Sequence, residues 1–253
     1  MAMMGEGGER FGCDACLRVE GAAEAGLRPA RSVGAEEFAA SAGPLAGEGR
    51  PCALTASVKR REAWAFLGHR GQAVDDELAA RLEEAAALCE RELAPRGMFH
   101  IFPVTAADAG IAVEGAGLVL PGDSIARHLR GCDKAALLAV TLGPPSEMVL
   151  RREAAVSATG GMLVDACASS LVEQAAGVLN EAVDAAAARC GREATWRFSP
   201  GYGDLPLTVQ GPFLEALDAG RALGITLTAA NMLVPSKSIT AIVGFRDPAL
   251  RKK

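Results

Sequence analysis

The residues best suited to chemistry lie in one stretch, Trp196-Arg-Phe-Ser-Pro-Gly-Tyr-Gly-Asp-Leu-Pro-Leu207. A Pro-Gly turn there places Arg197 and Tyr202 close together on a loop, and the glycines allow backbone N–H groups to face a ligand. Arg offers a planar fork that matches a carboxylate or phosphate; Tyr offers a ring face to a cation and a hydroxyl to a polar edge. An anionic end beside a cationic centre describes an amino-acid-like zwitterion. The competing reading is a structural turn without a ligand.

Other chemistry is thinner. No Gly-x-Gly-x-x-Gly follows a strand and no Gly-x-x-x-x-Gly-Lys-Ser/Thr occurs; Gly201-Tyr-Gly203 lacks both the third glycine and a following helix. His69, His100 and His128 are far apart in the chain, with no His-Glu-x-x-His pattern. His128 and Cys132 stand at i, i+4, but Gly131 interrupts the helix they would share, which argues against a metal pair. Cys13 and Cys16 form a single Cys-Asp-Ala-Cys pair, which reads as half a zinc site, a redox pair or a chance spacing. The chain has 7 cysteines, an odd number that fits reduced thiols better than a disulfide framework.

The elements that must position the loop follow from hydrophobic spacing. Val74, Leu78, Leu82, Ala85, Cys89 and Leu93 recur every three to four residues and predict an amphipathic helix over 74–93, ended by Pro95 and Gly97. Short strands are expected over 98–104 and 117–120, then a short helix capped by Gly122-Asp123-Ser124 and closed by Gly131. The apolar run 135–142 predicts a buried strand, and 146–188 a helical stretch broken near Gly160-Gly161. Pro and Gly density excludes helix over 197–212; a short helix follows over 212–219, then two strands joined around Pro235.

Composition bounds the rest. The chain has 253 residues, is 50% apolar and 4% aromatic, and carries 26 Lys and Arg against 31 Asp and Glu for a net charge of −5. That apolar content builds a full core. Scattered basic residues and mild acidity argue against nucleic acid as a partner. No charge-free run reaches the roughly 18 residues of a membrane span, and the first thirty residues lack a secretory signal, so a cytoplasmic protein is expected. Residues 1–55, rich in Gly, Ala, Glu and Pro, read as an appendage, partly disordered, and 56–253 as one α+β unit.

Arg197-Phe-Ser-Pro-Gly-Tyr202 resembles the Arg-x-x-x-Gly-Tyr loop of the activation (reactivation) domain of cobalamin-dependent methionine synthase. The stretches 163–173 and 227–244, with His128-Leu-Arg-Gly-Cys-Asp133 and Thr141-Leu-Gly143, resemble the same family, so that the likeness extends over roughly 60–246 and is nearest to its short, free-standing members. The resemblance implies a twisted, largely antiparallel sheet with flanking helices that binds S-adenosylmethionine without a Rossmann fold. Carried over, Arg197 pairs with the methionyl carboxylate, Tyr202 lies near the sulfonium and ribose, and backbone groups of the loop, at Ser199 and Gly201, hold the ligand, Ser199 at the adenine edge. The family also sets an acid on the preceding helix near the ligand's ammonium. Asp165, Ser169 and Glu173 lie at i, i+4, i+8 on one face. Strict spacing puts that acid on Ser169; Glu173 is taken for the role, with Asp165 second, against the alternative of a solvated or capping acid.

Two features depart from the family: its further acidic contact from the N-terminal part has no counterpart here, and Gly203-Asp204 replaces the residues that follow the Tyr. Phe198 and Trp196 are expected in the core or the wall. The chain lacks an Asp-x-His-x-x-Gly cobalamin-ligating pattern, so the resemblance implies action in trans. The cobalamin would be carried by a partner, a corrinoid-binding protein or a methionine synthase core, with a flavodoxin- or ferredoxin-like electron donor. Two other classes compete: a non-catalytic S-adenosylmethionine sensor or assembly factor, and a redox or metal-handling protein built on Cys13, Cys16 and further thiols.

Overall fold

The structure, a computed structural model, describes residues 45–252. The stretch 1–44, with Cys13 and Cys16, lies outside the described residues. At its centre are two antiparallel strands, β5 (Cys132–Thr141) and β9 (Ser238–Arg246). Their continuous apolar runs arise because both faces are covered. Ala136, Leu138 and Val140 face one core with Ala241, Val243 and Phe245; Ala135, Leu137 and Ala139 face a second core with Ile242.

The other strands extend this pair. β2 (Arg96–Ala107) pairs with β5, then come β3 (Gly110–Val113) and β4 (Leu118–Leu120), while β6 (Glu193–Ala194) lies on β9. β1 (Cys52–Ala53) adds to β2 opposite Arg96 and Gly97. All these strand pairings are antiparallel, as expected for the α+β architecture. β1 and the buried Leu54 fall within the stretch assigned to the appendage, and they belong to the folded body.

The first core is closed by α5 (Ala158–Arg189), with α1 (Arg60–Phe66), α2 (Asp76–Glu92) and α4 (Pro145–Val156) packed around it. Buried alanines at 166, 168, 175, 176, 186 and 187 let the α5 backbone lie close to its neighbours. By length and composition α5 is the one described helix that could cross a membrane, and 61% of its most apolar window is buried in the fold, as in a core helix. The expected break at Gly160-Gly161 falls earlier, at Ser157. That residue is extended, ends α4 and caps α5, its Oγ accepting from Gly160 N at 3.2 Å. Gly161 lies inside the helix and is glycine because a Cβ there would stand 2.8 Å from Ala154 Cα.

The second core is covered by α3 (Asp123–His128), α6 (Gln210–Ala216), α7 (Ala219–Leu223) and the loop before α6, through Phe198, Leu205, Phe213 and Leu217. Helix α6 begins inside the stretch expected to exclude helix. Pro212 is its third residue, a position where the missing N–H has no intrahelical acceptor to lose. The expected hairpin around Pro235 is also rearranged. β7 (Thr226–Leu227) pairs with β8 (Leu233–Val234) as a separate ribbon, and β9 enters the main sheet.

Two glycines of α5 should respond oppositely to substitution. Gly161→Ala forces contact with the Ala154 backbone and should destabilise by about 1–3 kcal/mol, as overpacking does. Gly177→Ala enters open space and should stabilise by about 0.5–1 kcal/mol through helix propensity. Urea denaturation of both variants checks this; equal signs would contradict the close α4–α5 packing.

Candidate functional site

Among the described residues, only half of β9 has a partner on its outer side. β6 covers Phe245 and Arg246, Thr195 bonds Gly244, and Phe198 exchanges backbone hydrogen bonds with Ile242 at 2.9 and 2.8 Å. The chain then leaves at Ser199-Pro200, and Ser238, Ile239 and Thr240 line a cleft of about 520 Å³. Its walls come from α5 (Glu173), α4 (Glu147, Arg151), the loop (Ser199, Pro200, Tyr202, Leu207), α6 (Gln210) and the Thr228–Val234 segment. A volume of this order suits a nucleoside-sized ligand. Cavities of about 500 and 600 Å³ lie elsewhere, the first walled by Trp64 and Met162, the second by Arg127 and Arg130; neither takes a residue from the 196–207 loop.

The loop is held by bonds within its own turn and by contacts to the start of α3. Gly201 sits at φ +93° and its N–H donates to Leu205 O at 2.8 Å, while Tyr202 N donates to Ser199 O at 3.0 Å. The Gly201 N–H expected to face a ligand is therefore spent inside the turn. Gly203, at φ +55°, packs on Ser124, whose Oγ would be 2.6 Å from a Cβ there. Asp204 accepts from Ser124 N at 2.9 Å and Asp123 N at 2.7 Å, so it caps α3 from 80 residues away. The Ser124 and then the Asp123 N–H hold its carboxyl below the usual carboxylate range.

Behind the loop, three rings converge. His128 lies 4.5 Å from Trp196 and 5.1 Å from Phe198, centroid to centroid, and Trp196 lies 5.3 Å from Phe198. Phe198 is core, as expected; Trp196 is 59% exposed and stands outside both core and cleft wall, its ring packed edge-on to the imidazole. His128 Nε2 is hydrogen-bonded to Thr195 Oγ1 at 2.9 Å. Burial first, then the nearby Arg246 guanidinium, pushes the His128 pKa down to about 4. Among the described residues no cluster of three or more His, Cys, Asp or Glu could hold a metal. Burial pushes the Cys89 thiol up to about 12 and Cys167 to about 11, which leaves both as inert thiols at neutral pH.

Of the residues singled out from sequence, Glu173, Ser199 and Tyr202 line the cleft. Arg197 joins them through Glu173: its Nη2 donates to Glu173 Oε2 at 3.0 Å, with side chains 28% and 39% exposed. Asp165 is directed elsewhere. It pairs with Lys237 Nζ at 2.8 Å, and that ammonium also donates to Ser169 Oγ at 2.8 Å, so this end of the helix face anchors the chain entering β9. Tyr202 is 54% exposed, its ring 6.0 Å from Phe198.

Sequence reasoning missed the remaining walls. Glu147 Oε1 accepts from Ser236 N at 2.6 Å, and that N–H holds its carboxyl below the usual range. Arg151 lines the cleft beside it, without an ion pair among the described residues. Asn231 closes the β7–β8 turn at φ +59°, a conformation in which Asn is enriched; Asn in a short loop was the one readable signal. Gln210, 4% exposed, accepts from Thr240 Oγ1 at 2.8 Å.

No family model and no curated protein matches the chain. Thirteen chains of solved structures do. One is the crystal structure of the MetH reactivation domain bound to AdoHcy, which matches at a TM-score of 0.57 and 19% identity over 83% of this chain and 82% of that one. The chain therefore has the reactivation-domain fold, the mixed helix and antiparallel sheet architecture expected from the sequence.

His128 makes stability depend on pH. Its folded pKa of about 4 lies below the ordinary histidine value of 6.5, so the stabilisation from keeping it neutral is complete above 6.5 and is lost as pH falls towards 4. The loss should reach about 3 kcal/mol. Denaturation between pH 7 and 4.5 checks this, with His128→Phe expected to flatten the fall; an unchanged slope would contradict it.

Proposed function

We propose that the chain is an S-adenosylmethionine-binding activation subunit that supports reductive methylation of cob(II)alamin on a separate corrinoid protein or methionine synthase. The observation that carries this reading is the Arg197–Glu173 pair at the wall of the cleft, on a fold matched by a reactivation domain whose structure contains AdoHcy. A guanidinium and a carboxylate side by side complement an amino-acid end: Arg197 takes the ligand's carboxylate and Glu173 its ammonium. The apolar flank from Pro200, Leu207, Leu233 and Ile239 suits a nucleoside, and Tyr202 sets a ring and a hydroxyl at the rim near the sulfonium.

S-adenosylmethionine supplies an electrophilic methyl at its sulfonium. This chain contributes binding and orientation; no general acid or base is required of it. The corrinoid and the electron come from elsewhere: a corrinoid-binding protein or methionine synthase core, and a flavodoxin- or ferredoxin-like donor, all in the cytoplasm.

Titration calorimetry with S-adenosylmethionine tests the site. One saturable site is expected in the wild type, weakened about tenfold or more in Arg197→Ala, since loss of a charged hydrogen-bond partner costs about 1.5–3 kcal/mol. Tyr202→Phe should weaken it less. Wild-type binding unchanged by Arg197→Ala would remove the loop from the site, and absence of binding with and without the corrinoid partner would overturn the reading.

A further inference from the structure

The floor of the cleft holds a polar pair that the charged wall does not use. Gln210 is 4% and Thr240 3% exposed, and both line the cleft. Thr240 Oγ1 donates to Gln210 Oε1 at 2.8 Å, which fixes the carboxamide and leaves Nε2 without a hydrogen-bond partner among the described residues. That N–H is not among the buried unpaired donors, so it opens onto the cleft and is free to donate to a ligand there. Thr240 also sits where β9 has no outer strand neighbour among the described residues. Ile239 pairs towards β5 and Ile242 bonds outward to Phe198, so by strand alternation the Thr240 N–H and C=O point outward, beyond the last bridge. Leu207 and Ile239 flank this polar spot with apolar surface.

We propose that Gln210, oriented by Thr240, is the specificity-determining residue for the ligand's heteroaromatic base, its Nε2 donating to a ring nitrogen of adenine. This rests on the S-adenosylmethionine reading above and adds a side-chain donor to the base, whose edge the family resemblance gives only a backbone contact at Ser199. Apolar flanks hold the faces of a flat base, and the carboxamide donor meets its acceptor edge. Carbon in place of the acceptor nitrogen leaves the Gln210 donor buried and unsatisfied.

The test is calorimetry with S-adenosylhomocysteine and its 1-deaza, 3-deaza and 7-deaza analogues on wild type, Gln210→Leu and Thr240→Val, each checked for a wild-type melting profile. One deaza analogue should bind wild type about tenfold more weakly than the parent compound. Gln210→Leu should bind the parent about tenfold more weakly and that analogue with no further loss. Thr240→Val, which keeps the carboxamide and frees it to rotate, should show part of the same selective loss, and it carries the test if Gln210→Leu does not fold. Parent affinity within about twofold of wild type in both variants, or equal weakening of every analogue, overturns the proposal while leaving the site intact. No binding of the parent by wild type overturns the S-adenosylmethionine reading itself, and this assignment with it.

Discussion

The β5–β9 pair is the constraint on which the molecule is built. Both strands are buried on both faces, so neither can shift register without moving two cores at once. Yet among the described residues β9 has a strand-like neighbour on its outer side only from Ile242 to Arg246. Its Ser238–Thr240 end is closed by parts that do not pair with it as strands: the loop after Phe198, the first turn of α6, the β7–β8 ribbon and the flank of α5. A cleft at that place follows from the sheet ending early on one side.

The parts around the cleft are fixed to different degrees. The loop is clasped at its far end by Asp204 on α3 and at its root by Phe198 on Ile242. The approach to β9 is tied by Glu147 at Ser236 and by Asp165 at Lys237. Against that frame the Arg197–Glu173 pair is half-exposed, and pairs of that kind contribute roughly 0–1 kcal/mol to stability. Two charges held in place but weakly committed to each other can exchange partners with a zwitterion at small cost to the fold. Exposed Tyr202 and buried Gln210 bracket the same space with very different solvent access.

Long, periodic elements were legible in the sequence. The 74–93 spacing became Asp76–Glu92, and the apolar run 135–142 became the core of Cys132–Thr141. β3 was not legible, because Gly-Ile-Ala-Val is too short to show a period and its pairing with β2 is a tertiary fact. Glycine propensity alone puts the break between α4 and α5 at Gly160-Gly161, whereas the close Ala154 backbone requires Gly161 within the helix. Arg197, Ser199 and Tyr202 stood out by residue type, and Glu173 came from a helical register that only the ion pair to Arg197 distinguishes from Asp165. Trp196 was assigned inward by its chemistry, yet its ring is exposed against His128. Gln210 carries no sequence signal, since its place at the cleft is set by a hydrogen bond from Thr240, 30 residues away.

The most direct test of the account is a crystal structure of this chain with S-adenosylhomocysteine. The ligand is expected in the cleft beside β9, its carboxylate within hydrogen-bond distance of the Arg197 guanidinium and its ammonium on Glu173. Ligand seated elsewhere, or an amino-acid end turned away from an intact Arg197–Glu173 pair, would contradict it.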